Sequence, residues 1–236
     1  MSRPSDAFLS PLFSTSEQAC AEALISLALQ EDLGQTGDLT ARVTIPEDAR
    51  GSARFVARRP GRLSGLPVVM MLAQTLPDLE LEPLMSDGSI LEPGSLIARV
   101  SGLMRALLAF ERTALNFLQR LSGIATLTAR FVEAVAGSDT RILDTRKTTP
   151  GWRALEKYAV RCGGGQNHRI GLYDGILIKD NHLAWLKLAD DPIRLAIESA
   201  RSQAPPGTPV EIEVDTLDQL DLALACHPDI ILVENF

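Results

Sequence analysis

Charged side chains are concentrated in one part of the chain, between Arg141 and His182. This segment contains eight Lys or Arg residues against four acidic residues, a local charge of +4 in a chain whose net charge is −7. Arginine binds planar carboxylates through paired hydrogen bonds, and lysine provides a mobile point charge suited to phosphate. We therefore expect a pocket for a small, highly anionic ligand, although a solvated charged loop is the plainer interpretation of most such clusters.

Polar residues also stand where short apolar runs end. Leu143 is followed by Asp144-Thr145-Arg146-Lys147, Ile178 by Lys179, and Val233 by Glu234. Parallel barrels carry their chemistry at the carboxyl ends of their strands, so these residues are candidates for one shared site. Period-two alternation also places Glu211, Glu213 and Asp215 on one face of a predicted strand. If these carboxylates are buried, a metal, a cation or a polar ligand must compensate for their burial. For Glu213 taken alone, we prefer the alternative interpretation that it lies on the solvated face of an edge strand.

The elements that must position these residues fall into two patterns. Residues 17–33 have helical apolar spacing, and strand-like runs follow at 52–58, 79–84 and 96–100, which predicts an α+β layer. From 104 to 136 the spacing is helical again, and Ser122-Gly123 predicts a break between two helices.

After Gly137, short aliphatic strands alternate with helical stretches. The predicted strands are residues 141–143, 175–179, 210–214 and 230–233, an order typical of a parallel barrel or open sheet. We place the domain boundary near Glu111, which gives predicted domains of residues 1–111 and 112–236. The three consecutive glycines at 163–165 lack P-loop spacing and are interpreted as loop-forming. His182 is expected to support the site, and His227 to occupy a turn.

Composition excludes several other classes of protein. An apolar content of 45% with 22% charged residues predicts a globular chain. Cys20, Cys162 and Cys226 have neither metal nor redox spacing, which favours a reducing cytoplasm, and residues 1–13 lack a signal-peptide core. The longest uncharged run, residues 63–77, is too short to span a bilayer, so we expect no membrane partner. The net negative charge argues against nucleic acid as a partner.

The segment from Asp144 to His182 reads DTRKTTPGWRALEKYAVRCGGGQNHRIGLYDGILIKDNH. It resembles the central signature of the quinolinate phosphoribosyltransferase family: D-T-R-K-T-T-P-G, K-Y-A-V, C-G-G-G, N-H-R, G-L, then L-I-K with an acidic residue and N-H. Further matches to this family occur at residues 31–40, 111–126, 211–221 and 231–236. The resemblance spans nearly the whole chain, and it implies an N-terminal α/β sandwich domain followed by an incomplete (truncated) parallel α/β barrel.

The resemblance also implies an activity and a partner arrangement. Family members transfer the phosphoribosyl group of phosphoribosyl pyrophosphate to quinolinate, release CO2 and pyrophosphate, and form nicotinate mononucleotide for NAD biosynthesis. They act with Mg2+ and without an organic cofactor, usually as homodimers whose subunits share active sites. A cytoplasmic enzyme with small-molecule substrates is therefore expected.

Site residues carry over to matching positions of this chain. Arg146, His168, Arg169 and Lys179 are implied to hold the pyridine dicarboxylate, with Arg112 reaching it from the neighbouring subunit. Thr145 and Lys147 are implied to face the ribose phosphate donor. Glu213 and Glu234 match two acidic positions near the ribose hydroxyls and the Mg2+ ion, which they bind directly or indirectly. Lys147, Glu213 and Glu234 are the candidate catalytic residues.

The chain departs from the family pattern in two places. Glu234 stands where aspartate is usual, and the chain stops at Phe236, whereas the family continues through about two more strand and helix units. An inactive truncated homologue is therefore one alternative, and a molybdenum-transport-associated relative of the same fold is another. Nicotinate in place of quinolinate is a third possibility.

Overall fold

The computed structural model describes residues 13–187 and 189–234. The N-terminal stretch used to judge a signal peptide lies almost wholly outside this range. The chain divides into two compact units, Met1–His168 and Arg169–Phe236. The structure confirms the expectation of a mixed α/β protein. The domain boundary near Glu111 stays a prediction, and so does the sandwich and barrel architecture that the family resemblance implies.

The first unit combines antiparallel strands with five helices among its described residues. Its elements are α1 (Thr15–Leu33), α2 (Leu39–Thr44), β1 (Arg50–Val56), β2 (Gly61–Arg62), α3 (Leu66–Thr75), β3 (Leu79–Pro83), β4 (Ile90–Leu91), β5 (Leu96–Leu103), α4 (Met104–Ala134) and α5 (Arg153–Cys162). The sheet order is β1-β5-β3, and β2 pairs separately with β4. Three of these strands, β1, β3 and β5, were predicted.

Helix α1 confirms the helical pattern predicted for residues 17–33. It begins two residues earlier because Ser14 and Glu17 form a capping box, which satisfies main-chain N–H groups that a helix start leaves unpaired. Gly34 ends the helix, and its N–H donates to the Gln30 carbonyl. Ala21 and Ile25 face the core.

Helix α4 runs without interruption for 31 residues, so the predicted break at Ser122-Gly123 is wrong. A helical glycine costs only about 1 kcal/mol relative to alanine, which the burial of neighbouring side chains outweighs. Leu121 and Ala125 on either side are fully buried. Ser122 uses its hydroxyl in the fold, because Oγ accepts from Ser64 N at 3.0 Å and donates to Ser64 O at 3.1 Å.

The core of the first unit lies between α4, α5, α3 and the sheet. Phe110 and Phe117 of α4 are buried in it, and Phe110 packs edge-on against Phe55 of β1 with ring centroids 5.9 Å apart. Tyr158 of α5 is fully buried and donates to Asp87 Oδ2 at 2.7 Å. The same carboxylate accepts the N–H groups of Gly65 and Leu66, so it ties the start of α3 to α5.

The second unit is a parallel sheet with helices. Its elements are β6 (Ile176–Ile178), α6 (Asp180–Trp185), α7 (Pro192–Gln203), β7 (Val210–Val214), α8 (Leu217–Cys226) and β8 (Ile230–Val233). The strands pair in the order β6-β7-β8, and Ile178, Ile197 and Ile212 lie in the core. These three predicted strands are confirmed.

The fourth predicted strand, residues 141–143, is not a strand. Leu143 forms only an isolated parallel bridge to Gln166, with Gln166 N donating to Ile142 O at 2.8 Å and Asp144 N donating to Gln166 O at 3.1 Å. Two main-chain hydrogen bonds are too few to extend the pairing. No helix within residues 13–187 and 189–234 has the length and apolar character needed to cross a membrane.

Candidate active site

The loop after Leu143 carries three of the predicted site residues. Lys147 N donates to Thr145 Oγ1 at 3.0 Å, which bends the chain at this point. The Thr145 and Lys147 side chains are exposed. Lys147 Nζ forms no ion pair with any residue in the described part of the chain, so its charge is available to a ligand.

Arg146 lies between them and is half-buried. Its Nε is buried and has no hydrogen-bond partner in the described chain. Most buried donors in proteins are paired, and leaving one unpaired costs about 1–3 kcal/mol. An unpaired guanidinium N–H at this position is able to donate a hydrogen bond to the carboxylate of a ligand.

A buried ion pair lies directly behind this loop. Lys157 of α5 and Asp144 are in contact through Nζ and Oδ1, and their side chains are only 2% and 7% exposed. Lys157 Nζ also donates to His168 O at 2.9 Å, and Asp144 Oδ1 accepts from His168 N at 2.9 Å. The main chain of the predicted site residue His168 is therefore bonded to both partners of one ion pair.

The segment 148–152 is fixed by a second polar cluster. Arg120 of α4 donates to Thr149 and to Glu156 of α5, and its guanidinium lies 5.1 Å from the centre of the Trp152 ring. Burial opposes ionisation of Glu156, but the hydrogen bonds from Arg120 and Thr149 prevail and lower its pKa. Trp152 packs against Phe117 as well, with centroids 5.1 Å apart.

Arg112 stands apart from these contacts. It is exposed on α4, and its side chain forms no ion pair with any described residue of the chain. The first unit therefore leaves this guanidinium accessible to a partner.

The second unit brings three predicted site residues together at the carboxyl ends of its strands. Register aligns Ile178 with Ile212, so Lys179 directly after β6 stands beside Glu213 of β7. Lys179 Nζ forms an ion pair with Glu213, which is 8% exposed on its side chain. Because β7 lies between β6 and β8, the alternative of a solvated edge strand for Glu213 is wrong.

Glu234 follows β8 and completes this group. Its N–H donates to Val214 O at 3.0 Å, and its carboxylate lies close enough to Glu213 to share a hydrogen bond. That hydrogen bond and the like charge of Glu213 raise the pKa of Glu234. Two adjacent carboxylates at the carboxyl ends of neighbouring strands favour the binding of a cation.

Arg169 is the fourth predicted site residue of the second unit. Its Nη1 donates to Gly175 O at 3.0 Å, while its Nε is buried without a hydrogen-bond partner among the described residues. The chain that follows is held in a tight turn because the Asp174 carboxylate accepts the N–H groups of Ile170 and Gly171, at 2.7 and 2.8 Å.

His182 supports the end of β6, as predicted. Its Nδ1 accepts the N–H of Lys179 at 2.9 Å, which leaves Nδ1 unprotonated and fixes the turn from which the Lys179 side chain projects. His227 ends α8 with a left-handed backbone, φ +52°, in agreement with the predicted turn.

The glycines after α5 also have a structural role. Gly163 lies so close to α4 that an added Cβ would stand 2.4 Å from Ala125 O. Any larger residue would push α5 away from α4. The loop-forming interpretation is confirmed separately, because α5 ends at Cys162 and residues 163–164 form a turn.

The candidate metal-binding residues are the acidic pair Glu213 and Glu234. No group of three or more His, Cys, Asp or Glu side chains suited to a metal ion occurs in the described portion of the chain. Mg2+ typically keeps several waters and binds through one or two carboxylates together with substrate phosphates. Glu213 and Glu234 fit that pattern.

The sequence did not predict the residues that support the candidate site through hydrogen bonds and ion pairs. Asp144, Lys157, Asn167, Arg120 and Glu156 were not assigned roles. Four of them lie within the 144–182 signature. That position was the only available signal, since their partners are main-chain atoms or residues distant in sequence.

Two solved structures of similar architecture are nicotinate-nucleotide pyrophosphorylases. The nicotinate-nucleotide pyrophosphorylase from Francisella tularensis superposes with a TM-score of 0.88 at 37% identity, covering 95% of this chain and 78% of that chain. The corresponding enzyme from Ehrlichia chaffeensis gives a TM-score of 0.82 at 36% identity, covering 91% and 77%.

Sequence comparison identifies the family. Nicotinate-nucleotide pyrophosphorylase (carboxylating) of Mycobacterium leprae (strain TN) is 42% identical over 228 residues, which is 95% of this chain and 78% of the relative. The probable enzyme of that name from Bacillus subtilis (strain 168) is 44% identical over 207 residues, covering 87% and 69%. Models of the quinolinate phosphoribosyl transferase N-terminal and C-terminal domains match residues 38–122 and 124–236. The chain belongs to the quinolinate phosphoribosyl transferase family.

Proposed function

We propose that this chain transfers the phosphoribosyl group of phosphoribosyl pyrophosphate to quinolinate, with loss of CO2, to form nicotinate mononucleotide. The observation that carries the proposal is the group of Lys179, Glu213 and Glu234 at the carboxyl ends of three parallel strands, in a chain of this family. A cation beside two acids at strand ends is suited to an anionic substrate that carries a metal ion.

Quinolinate recognition is assigned to the arginine-rich residues. Quinolinate has two adjacent carboxylates, and Arg146 and Arg169 each have a buried, unpaired Nε that a carboxylate oxygen satisfies. His168, next to Arg169, contributes to the same subsite, and Lys179 adds a point charge.

A second set of residues is assigned to the ribose phosphate donor. Thr145 and Lys147 are exposed on their loop and contact its phosphates. Glu213 and Glu234 would hold the Mg2+ that accompanies pyrophosphate, directly or through water. When bound, that ion neutralises negative charge on the departing pyrophosphate.

The reaction has two steps. The lone pair of the pyridine nitrogen forms a bond to the anomeric carbon as the bond to pyrophosphate breaks, and positive charge develops on the ribose. The Glu213 carboxylate stabilises that charge electrostatically. The carbon–carboxylate bond next to the quaternary nitrogen then breaks as CO2 leaves, the positive nitrogen stabilises the electron pair left on that ring carbon, and a proton from solvent bonds to the carbon.

The architecture assigned to this activity is an α/β sandwich in the first unit followed by part of a parallel barrel. Arg112, exposed on α4 and unpaired in the described chain, reaches quinolinate in a neighbouring subunit. A homodimer with shared active sites accounts for a guanidinium that projects outward.

The test is direct measurement of both products. The purified protein is incubated with quinolinate carrying a labelled 2-carboxyl group, the ribosyl donor and Mg2+, and CO2 and pyrophosphate are quantified. We expect equimolar release, and loss of both on chelation of the metal. Pyrophosphate release with nicotinate, and none with quinolinate, contradicts the proposed substrate.

A further inference from the structure

We propose that Asp144 and Lys157 are positioning residues that hold the main chain of His168 so that the side chains of His168 and Arg169 meet quinolinate. The inference rests on the proposed function for its kinetic consequence. Neither residue was assigned a role from the sequence.

The side chains of Asp144 and Lys157 bind both main-chain polar groups of His168, and we call this arrangement the clamp. Asp144 Oδ1 accepts the His168 N–H at 2.9 Å, and Lys157 Nζ donates to the His168 carbonyl at 2.9 Å. The two side chains also pair with each other. One ion pair thus binds the donor and the acceptor of a single residue, which fixes its position from both sides.

Asn167 extends the clamp by one residue. Its Nδ2 donates to Asp144 Oδ2 at 2.6 Å and to Lys157 O at 2.8 Å, and its Oδ1 accepts from Arg161 Nη1 at 2.6 Å. Arg161 is anchored in turn by Glu17 of α1, with Nη2 and Oε1 2.7 Å apart. The orientation of the 167–168 segment is therefore determined by side chains from α1, α5 and the Asp144 loop.

The burial of Lys157 distinguishes its positioning role from that of a catalytic residue. Lys157 is 2% exposed and its Nζ is engaged by Asp144 and His168, so it offers no charge to substrate. A buried ion pair is weak evidence for stability, because well-packed apolar residues often serve equally well. Apolar residues, however, cannot bind a main-chain N–H and C=O, and that requirement accounts for polar side chains here.

The first test is kinetic and uses two neighbouring residues of α5. Lys157→Met removes the donor to His168, while the control Tyr158→Phe removes a buried hydrogen bond to Asp87. We expect Lys157→Met to raise the KM for quinolinate by about 10- to 100-fold, as expected for loss of a supporting contact, with little change in the KM for the ribosyl donor. Tyr158→Phe should leave both near their wild-type values.

The second test measures the clamp without activity. The chain has three histidines, so 15N-histidine labelling gives three amide signals, which His182→Gln and His227→Gln variants assign. His182 N donates to Lys179 O and His227 N to Leu224 O, so these two amides are internal controls. In Lys157→Met the His168 amide should exchange with solvent faster, and the two control amides should not.

The outcomes separate the two proposals. A wild-type protein that releases no CO2 from quinolinate overturns the proposed function, while the exchange measurement still decides whether the clamp exists. An active wild type with Lys157→Met kinetics equal to those of Tyr158→Phe overturns the positioning role. If Lys157→Met does not fold, the pair D144N/K157M, which leaves no buried charge alone, undergoes the same two measurements.

Discussion

At the residue scale, Arg146 and Arg169 are the residues proposed to bind carboxylates. Both have a buried Nε with no protein partner in the described chain, although buried donors are usually paired. A planar carboxylate matches the hydrogen-bonding geometry of a guanidinium better than a phosphate does. The proposed function therefore predicts selectivity for a dicarboxylate over a monocarboxylate.

Substitution of Arg146 tests this selectivity. Arg146→Ala removes a charge-assisted hydrogen bond, so quinolinate should bind about 10- to 100-fold more weakly, with a much smaller effect on the ribosyl donor. Isothermal titration of each ligand provides the measurement. Arg141→Ala, which removes an exposed arginine of the same basic segment, is the control. Equal weakening of both ligands by Arg146→Ala contradicts the assignment.

The carboxylate of Asp87, outside the candidate site, is expected to make the stability of the fold depend on pH. Burial raises its pKa in the folded protein above the ordinary 3.8, despite hydrogen bonds from Tyr158, Gly65 and Leu66. The folded state then binds the proton more tightly than the unfolded state, so this group stabilises the fold most in acid and progressively less as the pH rises through the folded pKa.

Comparison of wild type with Asp87→Asn isolates that contribution. Urea unfolding at several values between about pH 4 and pH 7 should show wild type losing stability relative to the variant as the pH rises. A stability difference that stays constant, or one that grows with pH, contradicts the raised pKa.

At the element scale, α4 offers a simple stability test. Gly123 is exposed within the continuous helix, and an added Cβ would meet no atom within 4 Å. Gly123→Ala should therefore stabilise the protein by about 0.5–1 kcal/mol, from helix propensity and reduced unfolded-state freedom. Urea denaturation measures the change.

Gly65 supplies the opposite expectation. It has φ +103°, and an added Cβ would stand 2.8 Å from Leu121 Cδ1, so Gly65→Ala should destabilise the same protein. A stabilising Gly65→Ala, or a destabilising Gly123→Ala, contradicts the local geometry.

These elements also show what sequence alone can predict. β7 and β8 were located correctly because short aliphatic runs stand between turn residues, a local pattern. The break at Ser122-Gly123 was wrong because tertiary burial of Leu121 and Ala125 overrides the weak propensity of one glycine. The segment 141–143 was predicted as a strand from its composition, but pairing depends on distant partners.

The site was predictable only in part for the same physical reason. Lys179, Glu213 and Glu234 follow from strand periodicity and come together in the second unit. The Asp144–Lys157 pair did not follow, because the other contacts of the two side chains, apart from Asn167 Nδ2, are the main-chain atoms of His168. Main-chain partners leave no residue-type pattern in a sequence.

At the scale of the whole molecule, the candidate residues are divided between the two units. Arg112, Thr145, Arg146, Lys147 and His168 belong to the first, and Arg169, Lys179, Glu213 and Glu234 to the second. Residues 168 and 169, adjacent in sequence and both assigned to quinolinate, stand on either side of the division. Firm placement of His168 therefore matters for both units.

Mixed variants test the proposed sharing of sites between subunits. Arg112→Ala and Arg146→Ala should each be nearly inactive, but a hybrid dimer contains one site with both arginines intact. After unfolding and refolding together in equal amounts, about one quarter of wild-type activity should return, since half of the dimers are hybrids and half of their sites are complete. The CO2-release assay measures it.

The control for that experiment is the same pair mixed without unfolding, under conditions where subunits do not exchange. Activity should then stay at the level of the separate variants. No recovery after co-refolding, with dimers present by sedimentation, places Arg112 and Arg146 in the same subunit's site or in none.

The uninterrupted α4 has a consequence for protein engineering. The two family domain models meet between residues 122 and 124, in the interior of this helix. A chimera that joins halves from two relatives at that junction must therefore splice one helix from two sequences, with Leu121 and Ala125 inherited from different parents. Crossovers placed before Met104 or after Ala134 keep the helix from a single parent and should yield more correctly folded hybrids.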